Sequence, residues 1–266
     1  MGLDQSKIAR IKKRNYCIVN FGGNNMKKND MKVGQGISTE RANWNFSGNV
    51  AETFDEHVRK SVPLYEEGHG LVCNISDFFC HNDSLCYELG VSTGALIKKL
   101  ATYNSHEPDI RWIGIDREQS MIDKAKKNCK DISNIELICE DIALFDYQKS
   151  DFIVAYYVFQ FVPPRLRQEV LNKIYESLNW GGGLVLFEKV RGPDARFQAM
   201  MTSIYTDFKL KNGFSGEEIV NKSQSLKGVL EPFSTKGNLG LLERAGFVDI
   251  MTVMKYVSFE GFLAIK

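Results

Sequence analysis

"CYELGVSTGALIKKL", residues 86–100, decides the fold. An apolar run closes on Glu88, and a turn with Gly90 and Gly94 follows. Leu96, Ile97, Leu100 and Ala101 then recur at helical spacing. Strand, tight turn and helix in that order open a strand–helix–strand unit, and the chain keeps alternating. "RWIGID" is a second strand, leading to a helix with Met121, Ile122, Ala125 and Cys129 on one face. "IELICED" is a third strand. "DFIVAYYV" is a fourth, apolar on both faces as a central parallel strand should be. Leu166, Val170, Leu171, Ile174 and Leu178 mark the next helix, which "NWGGG" is expected to stop before "LVLFEKV", the fifth strand.

The alternation then breaks. Phe197, Met200, Met201, Ile204, Tyr205 and Phe208 predict one strongly amphipathic helix, with the two methionines packed on the sheet. A second helix is expected around Glu217 to Val229, so residues 195–230 form a lid over the sheet's carboxyl edge. A short helix at Leu239 to Ala245 precedes "FVDIMTVMKYV" and "SFEGFLAIK", which should pair as a hairpin. The expectation is an α/β fold: a doubly wound, seven-stranded, mostly parallel sheet with a helical lid. Upstream, Asn49 to Gly68 reads as two helical pieces divided near Pro63. Residues 1–45, rich in Asn, Gly and Lys, read as a flexible or partly ordered arm, leaving 46–266 as one ligand-binding domain.

Composition narrows the function. Formal net charge is +1 over 266 residues, so no stable nucleic-acid partner is expected. The longest apolar run, "FIVAYYVFQFVPP", is too short to cross a bilayer, and the polar start carries no secretory leader. "MGLDQS" followed by "KIARIKKR" matches a myristoylation-plus-basic pattern, taken here as coincidence; no membrane partner is expected. Six cysteines without a CxxC pair read as reduced core residues of a cytoplasmic protein, with Cys86 and Cys139 in strands. Cys73, Cys80, His81 and Cys86 match no zinc-ligand spacing, and no metal is expected.

Ligands of such sheets lie beyond the carboxyl ends of the strands, where the 88–94 turn sits. Its spacing is not G-x-G-x-x-G, because Ser92 stands where a pyrophosphate would need glycine. Asp116, closing the second strand, offers two acceptor oxygens for the hydroxyls of a ribose. Asp141, after the third, can accept from an adenine amino group, with the Ile142 amide beside it. A ribose acid, an adenine acid and no phosphate cradle together point to S-adenosylmethionine.

Longer stretches carry a family resemblance. "WNFSGNVAETFDEHVRKSVPLYEE", "ELGVSTGAL", "GIDREQSMIDKAKK", "FQFVPPRLRQEVLNKIYESLNWGGGLVLFEK" and "DFKLKNGFSGEEI" resemble class I S-adenosylmethionine-dependent methyltransferases. More narrowly, residues 44–266 resemble the carboxy-S-adenosyl-L-methionine synthase group. The resemblance implies a cofactor site at Tyr65, Glu88, Gly90, Gly94 and Asp116. Arg117, Met121, Asp141, Ile142 and Tyr156 would complete it. It also implies a homodimer joined through the lid. The chain departs from the synthases at two places. Ser223, beside Gln224, stands where their second lid helix carries an arginine for the extra carboxylate, and Tyr156 replaces an asparagine. A carboxylate in a dry site favours a bidentate guanidinium; Lys222 or Lys227 could substitute only as a point charge.

The expected activity is therefore methyl transfer to a small-molecule acceptor. One alternative is a carboxy-S-adenosyl-L-methionine synthase serving transfer-RNA wobble-uridine modification. Another is a non-catalytic S-adenosylmethionine-binding protein. Tyr156, Tyr65 and Tyr205 are the candidate catalytic residues, with Tyr157, His69 and Asp207 also near the expected mouth. His57 and His69 are expected on exposed helix faces. "AYYVFQF" lacks the tetrad used on nucleobase amines, which disfavours base methylation.

Overall fold

The computed structural model describes residues 31–46 and 50–266. The "MGLDQS" start, the basic run after it and Cys17 lie outside them. Two short strands, β1 (Met31–Lys32) and β2 (Ser38–Thr39), precede the helices α1 (Val50–Ser61) and α2 (Tyr65–Ser76). The alternating part runs β3 (Leu85–Leu89), α3 (Ala95–Tyr103), β4 (Arg111–Asp116), α4 (Gln119–Asn128) and β5 (Ile135–Cys139). It continues through β6 (Ser150–Tyr156), α5 (Pro164–Ser177) and β7 (Leu178–Lys189). The lid is α6 (Ala195–Lys211) and α7 (Gly216–Ser225). Then come α8 (Thr235–Ala245), β8 (Asp249–Tyr256) and β9 (Phe259–Ile265).

The main sheet has seven strands in the order β5-β4-β3-β6-β7-β9-β8, as expected. The four pairings among β3 to β7 are parallel, and β9 runs antiparallel to both β7 and β8. Because side chains alternate across a strand, the sheet feeds two cores. Cys86, Trp112, Phe152, Val154 and Val185 face α2 and α3, against Val72, Leu96, Ile97 and Leu100. Tyr87, Leu89, Ile113, Ile115, Ile153 and Leu184 face α5 and α8, against Leu171, Ile174, Leu241 and Leu242. Neighbours in chain order, β3 and β4, pair on one side while β6 pairs with β3 on the other. This reversal puts the switch point at the carboxyl ends of β3, β4 and β6.

Several expectations are corrected. "NWGGG" does not stop α5; it belongs to β7, which begins at Leu178 and pairs with Ser150 before an irregularity and the regular register. The lid helix α6 buries no residue, so Met200 is 46% exposed rather than packed on the sheet. Cys139 is exposed, at the sheet's edge strand. Residues 31–46 are folded: Val33, Ile37 and Trp44 are buried in a cluster with Val50, Ala51 and Met121. The Ala42 and Trp44 amides donate to the Gln224 and Ser225 carbonyls at 3.0 and 3.1 Å, which ties this segment to α7. No helix among the described residues is long and apolar enough to cross a membrane.

Candidate active site

A cavity of about 340 Å³ opens at the switch point, within the size range of small-ligand sites. Its floor is the carboxyl edge of β3, β4, β6 and β7, and α1, α6, α7 and Trp44 contribute its roof. Of the residues expected to hold the cofactor, Tyr65, Glu88, Gly90, Asp116, Arg117, Met121, Asp141, Ile142 and Tyr156 all line it. Gly94 does not. It sits at φ +79 under α4, where a Cβ would come 2.9 Å from the Cys129 sulfur and 3.1 Å from the Ala125 Cβ. Glycine there serves the packing of α3 on α4, not the ligand.

The acids are held in different ways. Asp116 Oδ2 accepts from the Ser92 amide at 2.9 Å and Oδ1 from the Glu118 amide at 3.0 Å. Burial nevertheless pushes its pKa above the ordinary value. Glu88 is fully buried, its Oε2 has no partner, and burial raises its pKa strongly. Asp141 is exposed, and its Oδ1 accepts from the Ala143 amide at 2.9 Å, leaving Oδ2 for a ligand.

The aromatic wall differs from the catalytic set expected. Tyr156 donates its hydroxyl to the Tyr65 carbonyl at 2.9 Å, and Tyr205 donates to the Ser61 carbonyl at 2.8 Å. Both protons are spent on backbone, and burial pushes both phenols above their usual range. Tyr157 has φ +62, uncommon for a bulky residue, and its buried hydroxyl has no partner. His69 is 1% exposed, wedged between Tyr65 and Tyr156 at ring distances of 4.5 and 4.8 Å, so it is buried behind the wall, neither lining the cavity nor facing solvent. His57 is 6% exposed, and its Nδ1 lies 2.8 Å from Gln35 Oε1. Asp207 is exposed and does not line the cavity.

The comparisons decide the family. A methyltransferase domain family matches residues 87–182. The carboxy-S-adenosyl-L-methionine synthase of Staphylococcus epidermidis is 39% identical over 224 residues, 84% of this chain and 97% of that protein. This chain belongs to the carboxy-S-adenosyl-L-methionine synthase family. A synthase of Campylobacter jejuni serotype O:23/36 is 38% identical over 227 residues, covering 83% of this chain and 93% of its own. Membership makes the chain an S-adenosylmethionine-dependent enzyme of the methyltransferase class. The fold agrees with solved structures at low identity. An O-methyltransferase family protein from Burkholderia thailandensis has a TM-score of 0.60 at 13% identity over 82% of this chain. Human N-acetylserotonin methyltransferase, solved in complex with S-adenosylmethionine, has a TM-score of 0.57 at 18% identity, also over 82%. This chain spans 59% and 56% of those two.

Within the family, the places of departure are now located. Ser223 is exposed on α7 and does not line the cavity, whereas its neighbour Lys222 does. Lys227 does not line it either. Lys189 and Lys209 also line the cavity, and neither was singled out by sequence. Lys189 closes the apolar run "LVLFEK", and Lys209 follows Phe208 on the lid. A cation ending an apolar strand at the ligand edge was the available signal.

Proposed function

We propose that this chain transfers the methyl group of S-adenosylmethionine to a small acceptor held in the cavity under the lid. The residues fit the cofactor. Asp116 lines the floor with lone pairs left over after its two backbone bonds, suited to ribose hydroxyls. The orphaned Glu88 Oε2 is an acceptor for an ammonium at the tail of the nucleoside. Asp141 and Ile142 flank the place for an adenine edge at β5. When bound, S-adenosylmethionine supplies a sulfonium methyl with a good leaving group. The chain's task is then to align an acceptor and exclude water, which the aromatic walls and lid helices do.

The observation that carries methyl donation is Ser223: at the place of the family's carboxylate-binding arginine, this chain presents an exposed hydroxyl outside the cavity. A second reading, making or using the carboxylated cofactor, is supported by the named relatives and by cavity-lining lysines. Mass spectrometry of the nucleoside retained by the purified protein separates the two. S-adenosylmethionine or S-adenosylhomocysteine supports methyl transfer, and the carboxylated species overturns it. Turnover to S-adenosylhomocysteine across a panel of small acceptors then names the acceptor.

We also infer a homodimer, because Phe197, Met200 and Ile204 share one exposed face of α6 at 50%, 46% and 46% exposure. A reducing, cytoplasmic setting is supported by the five described cysteines, all unpaired.

A further inference from the structure

Away from the cavity, two cysteines meet between α2 and β3. The Sγ atoms of Cys80 and Cys86 lie 3.5 Å apart, and the two residues are 2% and 0% exposed. Cys80 follows α2, and Cys86 is the second residue of β3, the strand between β4 and β6. Neither lines the cavity. Other described thiols meet backbone oxygen instead. Cys129 Sγ donates to the Gly94 carbonyl at 3.7 Å, and Cys139 Sγ donates to the Arg117 carbonyl at 3.6 Å.

Sulfurs in a disulfide sit about 2.05 Å apart, so closing this pair takes a movement of roughly 1.5 Å. Both ends stand on anchored backbone. The Cys80 amide donates to the Ser76 carbonyl at 2.9 Å, and the Leu85 amide, one residue before Cys86, donates to Asp151 Oδ2 at 3.1 Å. The chain between them is a turn held mainly by its own bonds. The Ser84 amide donates to the His81 carbonyl at 3.0 Å, and the His81 amide donates to Ser84 Oγ at 3.0 Å. Its tip, residues 81–83, is exposed, and Asp83 has φ +68, uncommon away from glycine. An exposed turn with local bonds opens more readily than the helix and strand it joins.

The two thiols are not equivalent. Cys86 lies inside the sheet, where burial, with Cys80 beside it, holds its thiol well above the ordinary value. Cys80 adjoins the exposed tip and is the sulfur an oxidant meets when the turn opens. We propose that Cys80 and Cys86 are an oxidation site that closes to a disulfide when a peroxide reaches Cys80. The Cys80 thiolate attacks one oxygen of hydrogen peroxide and the O–O bond breaks. The departing hydroxide takes up the Cys80 proton as water, leaving a sulfenic acid. The Cys86 sulfur then attacks the Cys80 sulfur, the S–O bond breaks, and the Cys86 proton leaves with that oxygen as a second water. Two thiols lose two electrons, and one peroxide gains them. The bond joins the end of α2 to the central strand, while Tyr65 at the other end of α2 stays in the cavity wall.

Peptide mapping of the full chain tests this. The reduced protein is treated with a small molar excess of hydrogen peroxide, quenched with catalase, unfolded and alkylated with N-ethylmaleimide. Trypsin releases residues 61–98, which carry Cys73, Cys80 and Cys86 and no other cysteine. That peptide should bear three maleimides from untreated protein and one after peroxide, with all three restored by dithiothreitol before alkylation. Cys139, exposed and unpaired, is the comparison and should end as a sulfenic acid trapped by dimedone. Cys73→Ala should keep the cross-link, and Cys80→Ala and Cys86→Ala should each abolish it. Cys80→Ser covers the case of a poorly folded alanine variant, and the wild-type map stands without either. The cross-linked protein should melt a few degrees above the reduced one. Three maleimides on residues 61–98 once Cys139 is fully oxidised would overturn the proposal. So would dimedone or a sulfinic acid on Cys80 of wild type, a cross-link that survives Cys80→Ala, or a lower melting temperature after cross-linking.

Discussion

The Tyr156 hydroxyl donates to the Tyr65 carbonyl at 2.9 Å, directly above Gly68, where a Cβ would overlap the phenol oxygen. This joins the end of β6 to the first turn of α2 across 91 residues and makes Tyr156 a positioning residue. Tyr156→Phe should cost about 1 kcal/mol of stability, the net worth of one such bond. Turnover should fall only a few-fold, read as kcat on an acceptor found by the panel. A drop on the order of 100-fold or more would restore Tyr156 as the general base. Gly68→Ala should destabilise more than Tyr156→Phe, because the methyl group displaces the whole ring.

Asp116 commits one lone pair of each oxygen to a backbone amide, so the ribose must use the remainder. Asp116→Asn keeps the shape but turns one acceptor into a donor facing an N–H. Charge-assisted bonds of this kind are worth about 1.5–3 kcal/mol. S-adenosylhomocysteine affinity should therefore fall by roughly 10- to 100-fold in calorimetry. Unchanged affinity would remove the sugar from Asp116.

Gly94 belongs to folding rather than binding. Its φ of +79 and the 2.9 Å approach to Cys129 forbid a side chain. Gly94→Ala should lose about 2–4 kcal/mol, from left-handed strain together with overpacking. Chemical denaturation reads that loss. The refolded variant should still bind S-adenosylhomocysteine with near-native affinity, an outcome a cofactor-contacting glycine would not give.

Sequence revealed the sheet because the strands from β3 to β7 are apolar runs that, except between β5 and β6, are separated by helices with clear periodicity. It revealed the cofactor end for the same reason, since Asp116 and Asp141 are acids in fixed places after strands. The cavity-lining lysines were less visible. They come from β7, α6 and α7, and only tertiary packing brings them to one cavity. Residues 31–46 were misread because Trp44 is held by α7 carbonyls far along the chain, and an Asn- and Gly-rich segment carries no periodicity of its own. Met200, read as packed on the sheet, is exposed because α6 stands over the cavity mouth and turns Tyr205 and Lys209 toward it. His57 and His69 were misplaced by the same long-range effect, each buried by aromatic partners the helix pattern does not show.

The exposed stripe on α6 sets the next expectation. Phe197, Met200 and Ile204 should be covered by a second copy. Ile204→Glu should shift the light-scattering mass from dimer to monomer, with the lid's helical content kept by circular dichroism. A monomeric wild type over a broad concentration range would leave the stripe to another role.

The cavity-lining lysines should also be visible in the pH dependence of stability. Burial and the neighbouring Lys189 push the Lys209 pKa from 10.5 down to about 7, and burial alone pushes Lys189 down to about 8. An ammonium depressed by folding binds its proton more tightly in the unfolded chain. Its cost is therefore full below about 7, shrinks as pH rises, and vanishes above 10.5. Glu188 acts the opposite way. It is raised from 4.5 to about 8 by burial, so its contribution is full below 4.5 and is lost as pH climbs to 8. The two effects oppose each other: Glu188 lowers stability up to about pH 8, and Lys209 and Lys189 raise it from about pH 7 upward. Scanning calorimetry from pH 6 to 10 on wild type and Lys209→Met isolates the lysine part. The stability advantage of the variant should be largest at the low end and fade toward pH 10. A constant difference between wild type and variant across that range would mean that Lys209 keeps its ordinary charge, solvated at the cavity mouth.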